Sequence, residues 1–232
     1  MQIPKISQDK VKKNFEIFLS QTEKKLNRGQ KTDIKDFSTG LYQFSSAFGK
    51  TPDADILVKK ANQFAERFTS NGNNNFAGVI YSFLLKVVKS PKIVETLAVK
   101  QLAIAKRTND PIHIMSRTAH IRKVYQGIAP NSPEHLKWLR EEVRSIRRVI
   151  NHYEHATKNF QTVSHNVKPK EFYEEMLGFT LVDEGKILKK QSPKEAMPVM
   201  LEAKEIFAKL NNEKALDFIN QLIKETESKL KK

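Results

Sequence analysis

Apolar residues recur along the chain at intervals of three and four, and no alternation of period two is sustained for more than a few positions. That pattern lays one apolar stripe on each of a series of helices and predicts an all-α fold. Phe15, Phe18, Leu19, Thr22 and Leu26 form the first stripe, in a helix over about 8–28 that Asn27-Arg28-Gly29 stops. A second helix opens at Thr32 or Asp33, carries Phe37, Leu41, Phe44 and Phe48, and ends at Gly49. Thr51-Pro52 opens a third, with Ile56, Leu57, Phe64, Ala65 and Phe68 as its stripe. A hydroxyl followed by proline suits a helix start, because the hydroxyl accepts from an orphan N–H and proline has no N–H to leave unpaired. After a polar turn over 69–75, Val79, Ile80, Phe83, Leu84 and Val87 mark a fourth helix.

The same devices organise the remainder. Ser90-Pro91 opens a fifth helix that stops at Thr108-Asn109-Asp110, Pro111 opens a sixth, and Ser132-Pro133 opens a long seventh to about Ala156. Beyond a polar stretch containing Pro169, an eighth helix covers about 170–190. Ser192-Pro193-Lys194-Glu195 has the spacing of a capping box and opens a ninth, which closes at Asn211-Asn212 before a tenth ends the chain. Three of these openings, at Thr51, Ser90 and Ser132, lie 39 and 42 residues apart, and Ser192 opens a fourth such unit. Two units align without a gap at an offset of 102: Ser90-Pro91-Lys92 on Ser192-Pro193-Lys194, Ile104 on Ile206, and Asn109-Asp110 on Asn211-Asn212. The repeating unit is a helical hairpin.

Gly185, Leu188, Ala196, Met200 and Ala203 follow a small, large, alanine, aromatic, alanine order, and in this the last hairpin resembles a tetratricopeptide repeat. It departs from the family in two places: Gly185 and Ala196 are 11 apart where the family has 12, and Met200 stands where an aromatic is usual. The segment 90–127 shares the rhythm with little of the motif, and a period of 39 to 42 exceeds the family's 34, which leans toward a HEAT-like or irregular solenoid. The resemblance implies antiparallel hairpins stacked as an α-solenoid with an open groove for a peptide, helix or polymer, and implies no catalytic residue. A compact helical bundle is the alternative. The expected domains are a basic helical-hairpin region over 1–158, a polar linker over 159–169 and a tetratricopeptide-like region over 170–232.

Composition narrows the function. The 232 residues include no cysteine, which excludes disulfides, thiolate metal centres and cysteine nucleophiles. Met1 to Lys5 lacks a basic segment leading into an apolar one, and no uncharged apolar run approaches the roughly 20 residues that span a bilayer, so a soluble, cytoplasmic protein is expected. There are 41 basic and 26 acidic side chains, a net charge of +15. Residues 171–232 are near neutral with 11 basic and 12 acidic, while 86–150 carries 14 basic against 5 acidic. Arg117, Arg122 and Lys123 fall on one helix of that stretch, and Lys137, Arg140, Arg144, Arg147 and Arg148 on the next.

Two readings of those eight cations stay open. Glu141 and Glu142 lie within a turn of Lys137, Arg144 and Arg148, so part of the stripe is accounted for as salt pairing on a solvated helix face. Alternatively the stripe faces an anionic partner, with arginine forks gripping carboxylates or phosphates. An acidic segment of a protein partner fits best. Low-specificity RNA or DNA binding is the alternative; it wants aromatics for base stacking, and Trp138, beside Lys137, reads as packing.

Motifs for covalent chemistry are lacking. The sequence has no phosphate-cradling glycine loop and no G-x-S-x-G elbow. His152-Tyr153-Glu154-His155 gathers two imidazoles, but Glu154 falls on another face and HExxH is not present, so no metal is expected. His120 lies among Arg117, Arg122 and Lys123, and His113, His135 and His165 have no constellation. The expectation is a non-catalytic interaction scaffold without a cofactor. A helical enzyme or regulatory domain with a small-molecule site between helices is the second alternative, and inward-facing charged groups lining a polar pocket would mark it.

Overall fold

The computed structural model describes residues 8–45, 54–88, 90–107, 109–154 and 168–231. Among them are ten helices and no strand: α1 Gln8–Asn27, α2 Ile34–Tyr42, α3 Ala54–Ser70, α4 Asn74–Val87, α5 Pro91–Arg107, α6 Pro111–Ile128, α7 Pro133–Asn151, α8 Lys170–Gln191, α9 Pro193–Lys209 and α10 Glu213–Leu230. Neighbouring helices pack against one another as hairpins, so the fold is an all-α hairpin stack. None of these helices is long and apolar enough to cross a membrane. The chain divides into two compact units, 1–107 and 108–232. Of the polar stretch expected to be a linker, 159–167 lies outside the described residues, as do His155, His165, Phe48, Gly49 and Thr51-Pro52.

In the first unit, α1 packs on α3, α2 on α4, and α3, α4 and α5 form consecutive hairpins. Three pairs tie α1 to α3: Glu16 with Lys60, Glu23 with the Arg67 guanidinium at 2.7 and 3.0 Å, and Asn27 with Asn71 at 3.4 Å. Each pair is separated by 44 residues, and a constant separation means that the two helices run parallel in register. Beneath these pairs sits a phenylalanine cluster in which Phe37 stacks on Phe18 at 5.5 Å and meets Phe76 at 5.1 Å. The cluster also explains where α2 ends. Phe44 was expected within the helix, but the chain turns after Tyr42, and the Phe44 ring reaches Phe15 at 5.3 Å and Phe18 at 5.8 Å. Ile56, expected in the core stripe of α3, is exposed instead, because the buried face runs through Leu57, Ala61, Phe64, Ala65 and Phe68.

The second unit repeats the arrangement. α6, α7, α8, α9 and α10 pack each on the next. Arg140–Glu195 and Arg147–Glu202 are both 55 residues apart, setting α7 parallel to α9, and Lys189–Glu225 ties α8 to α10. Tyr173, Leu177, Leu181, Leu188, Met200, Phe207 and Ile219 fill one core with the apolar face of α7. α8 and α9 approach closely at two glycines: a Cβ on Gly178 would lie 2.7 Å from the Phe207 ring, and one on Gly185 would lie 2.8 Å from Met200.

The repeat seen at an offset of 102 holds in three dimensions. α5 and α9 both begin at the proline and both run 17 residues. Asn109 and Asn211 both take the left-handed conformation, φ 50° and 52°, that asparagine tolerates better than most side chains. The next residue then caps: Asp110 accepts from Ile112 and His113, and Asn212 accepts from Ala215. One expected device is missing. The Ser192 side chain makes no capping bond, and Glu195 turns to Arg140 at 3.5 Å, so no capping box forms.

Candidate anion-binding surface

Among the described residues, seven of the eight cations singled out in the sequence have structural partners, and α7 and its neighbours decide which face solvent. Ser132 starts α7 by accepting from the His135 N–H at 3.0 Å, Pro133 occupies the first turn, and the helix ends where the His152 N–H reaches the Arg148 carbonyl. Leu136, Leu139, Val143, Ile146 and Val149 form its buried face. Trp138 joins them at 2% exposure and stacks on the buried Tyr125 of α6 at 6.4 Å.

Three cations are built into the unit. Arg122 of α6 pairs with Glu142 of α7 at 2.7 Å, with side chains only 12% and 3% exposed, and donates to Gln126 at 2.8 Å. Arg140 pairs with the buried Glu184 of α8 at 2.9 Å and approaches Glu195 of α9. Arg147 donates to both carboxylate oxygens of Glu202 at 2.7 and 2.6 Å. These pairs join helices, unlike the intrahelical pairs anticipated from spacing.

The others are placed differently. Arg144 is exposed and pairs along its own helix with Glu141. Arg148 is exposed and reaches Asn109 at 3.4 Å. Lys137 is exposed, its ammonium 5.3 Å from the Trp138 ring centroid. Lys123 is exposed on α6, whereas Arg117, half-buried, donates to the His113 ring nitrogen at 3.2 Å. Steps of seven and four residues keep Lys137, Arg144 and Arg148 within about 40° of one line on α7, spaced about 10 and 6 Å along the axis. That line lies opposite the buried face, so the three make one cationic ridge.

Two neighbouring imidazoles, His113 and His135, are biased toward the neutral form. Burial, reinforced by Arg117, holds His113 below the usual histidine range, and burial with Arg122 does the same for His135. His135 accepts from the Asn131 N–H through Nδ1, as a neutral ring can. His120 is half-buried and His152 exposed. Among the described residues no three histidine, aspartate or glutamate side chains are grouped to hold a metal ion.

Glu142, Glu184, Glu195 and Glu202 are the residues that sequence reasoning did not assign to these partners. Two of them left a signal. Glu142 lies between Leu139 and Ile146, and Glu184 between Leu181 and Leu188, each on an apolar stripe where an acid needs a partner. Glu195 and Glu202 lie on the polar side of α9 and carried none. No family model matches the chain and no curated protein matches it, so a functional reading rests on this geometry.

Proposed function

We propose that the chain is a non-catalytic scaffold of tetratricopeptide-like hairpins, acting in the cytoplasm, that binds an acidic segment of a partner protein along the outer ridge of α7. The observation that carries the reading is the alignment of Lys137, Arg144 and Arg148 on an exposed line opposite the core. Close approach of α8 and α9 at Gly178 and Gly185, with Ala196 and Ala203 fully buried between the helices, supports the tetratricopeptide-like assignment. Spacings of about 10 and 6 Å suit carboxylates presented on an extended or helical peptide. Nucleic acid is the weaker reading. Binding single strands with tolerance for sequence relies on aromatic faces, and Trp138 and Tyr125 spend theirs on each other.

The test is fluorescence anisotropy of a labelled oligoglutamate peptide titrated with the full chain. Reversing Lys137, Arg144 and Arg148 together to glutamate should abolish binding and leave the thermal transition in place, since all three lie on the exposed outer line of α7. Equal affinity of the reversed variant would sink the proposal.

A further inference from the structure

A cavity of about 250 Å³ opens within the first unit between α3, α4 and α5. It lies toward the C-terminal ends of α3 and α5, which Lys100 joins through its bonds to Asn62 and Glu66. Glu66, Thr69 and Ser70 line it from α3, Tyr81 from α4, and Lys100 and Arg107 from α5, with Ile104 as an apolar wall. This site is separate from the ridge on α7 and stands or falls independently of it.

Donors converge here without enough acceptors. Tyr81 is 2% exposed overall and lines the cavity from α4. Burial and the Glu66 carboxylate push its pKa up to about 12, so the phenol stays a donor throughout the neutral range. Lys100 donates to Asn62 at 3.0 Å and to Glu66 at 2.5 Å, which leaves its third N–H for another acceptor. Arg107 is exposed and has no ion pair among the described residues. Thr69 and Ser70 already donate, to the Ala65 and Glu66 carbonyls at 2.8 and 3.0 Å. The charges are two cations against one carboxylate, and that carboxylate is held by Lys100.

We propose that this cavity binds a small molecule through a singly charged oxyanion head, a carboxylate or a monoanionic phosphate, gripped by Arg107 and completed by the Tyr81 hydroxyl and the remaining Lys100 N–H. The guanidinium fork matches two oxygens of such a head. Ile104 packs on a short apolar body, and the cavity volume, below that of a drug-sized pocket, limits the ligand to little more than a ring or a short chain.

Calorimetric titration of the full chain with benzoate and with phenyl phosphate tests this. Saturable one-to-one binding of either probe is expected, weakened about tenfold or more by Arg107→Gln and several-fold by Tyr81→Phe, with Lys24→Gln unchanged as a control. Tyr81→Phe removes a single oxygen and keeps the ring, and circular dichroism verifies the fold of each variant. Binding of benzoate alone assigns a carboxylate ligand; binding of phenyl phosphate alone, growing stronger as pH falls through the phosphate titration, assigns a monoanionic phosphate. Failure of both probes to saturate by ~10 mM, or affinity undiminished in either variant, overturns the proposal.

Discussion

Replacing Arg122 by methionine keeps most of the side-chain volume and strands Glu142, whose carboxylate is 3% exposed and 2.7 Å from the lost guanidinium. Breaking a buried pair from one side costs about 3–5 kcal/mol, because the remaining charge is uncompensated. Protonation sets a ceiling. A glutamate with an unfolded pKa near 4.3 can take up a proton at pH 7 for about 1.36 kcal/mol per unit, or about 4 kcal/mol, so the loss should be about 3–4 kcal/mol. At pH 5 the same escape costs only about 1 kcal/mol, and the variant should be correspondingly less destabilised there. The sign follows because a stranded carboxyl with a raised folded pKa binds its proton more tightly when folded. Urea unfolding monitored by Trp138 reports this unit, since the chain has one tryptophan and it stacks on Tyr125 beside the pair. With m near 1–3 kcal/mol/M, the midpoint at pH 7 should fall by about 1–4 M. Arg122→Met with Glu142→Leu should restore most of the stability, as hydrophobic replacements of whole buried pairs do. A loss under about 1 kcal/mol at pH 7, or one equal at pH 5 and pH 7, would refute the reasoning.

Four further outcomes are expected. Reversing Arg140 and Arg147 to glutamate should lower the thermal transition of the second unit sharply, in contrast to the ridge reversal, because the new charges would face Glu184, Glu195 and Glu202. Gly178→Ala should destabilise by about 1–3 kcal/mol despite alanine's better helix propensity, since its Cβ would meet the buried Phe207 ring; calorimetric melting checks this. Gly127→Ala, in α6 with nothing within 4 Å of the added Cβ, should stabilise by up to about 1 kcal/mol in the same assay. His113 and His135 have folded pKa values below the unfolded value near 6.5, so their stability contribution is complete above that pH and lost as pH falls through the folded values. Unfolding midpoints from pH 7 to pH 5 should therefore decline, and decline less in His135→Asn.

Local chemistry made the helices legible. Asp33, Asp110 and Ser132 cap the helices that follow them, and Pro111, Pro133 and Pro193 stand at helix starts, because capping depends on residues within one turn. The 102-residue repeat was legible for the same reason: asparagine in the left-handed region and the capping side chain after it are properties of two adjacent residues. What failed to show was pairing across helices. Arg140 and Glu184 are 44 residues apart, and Arg147 and Glu202 are 55 apart. Helical periodicity says which face a cation occupies but not which neighbour covers that face. Thus Arg140 and Arg147 looked equivalent to Arg144 until α8 and α9 were in place. Phe44 and Ser192 failed for a related reason, the turn after Tyr42 serving the Phe15 and Phe18 rings and Glu195 turning toward Arg140.

The ridge on α7 is tested most directly by amide chemical-shift mapping on the full, isotope-labelled chain during titration with oligoglutamate. Saturable shifts are expected on the outer face of α7, at Lys137, Glu141, Arg144 and Arg148, extending to Lys123 on α6. Shifts concentrated in residues 1–107, which carry 19 basic against 9 acidic side chains, or no saturable shifts at all, would contradict it.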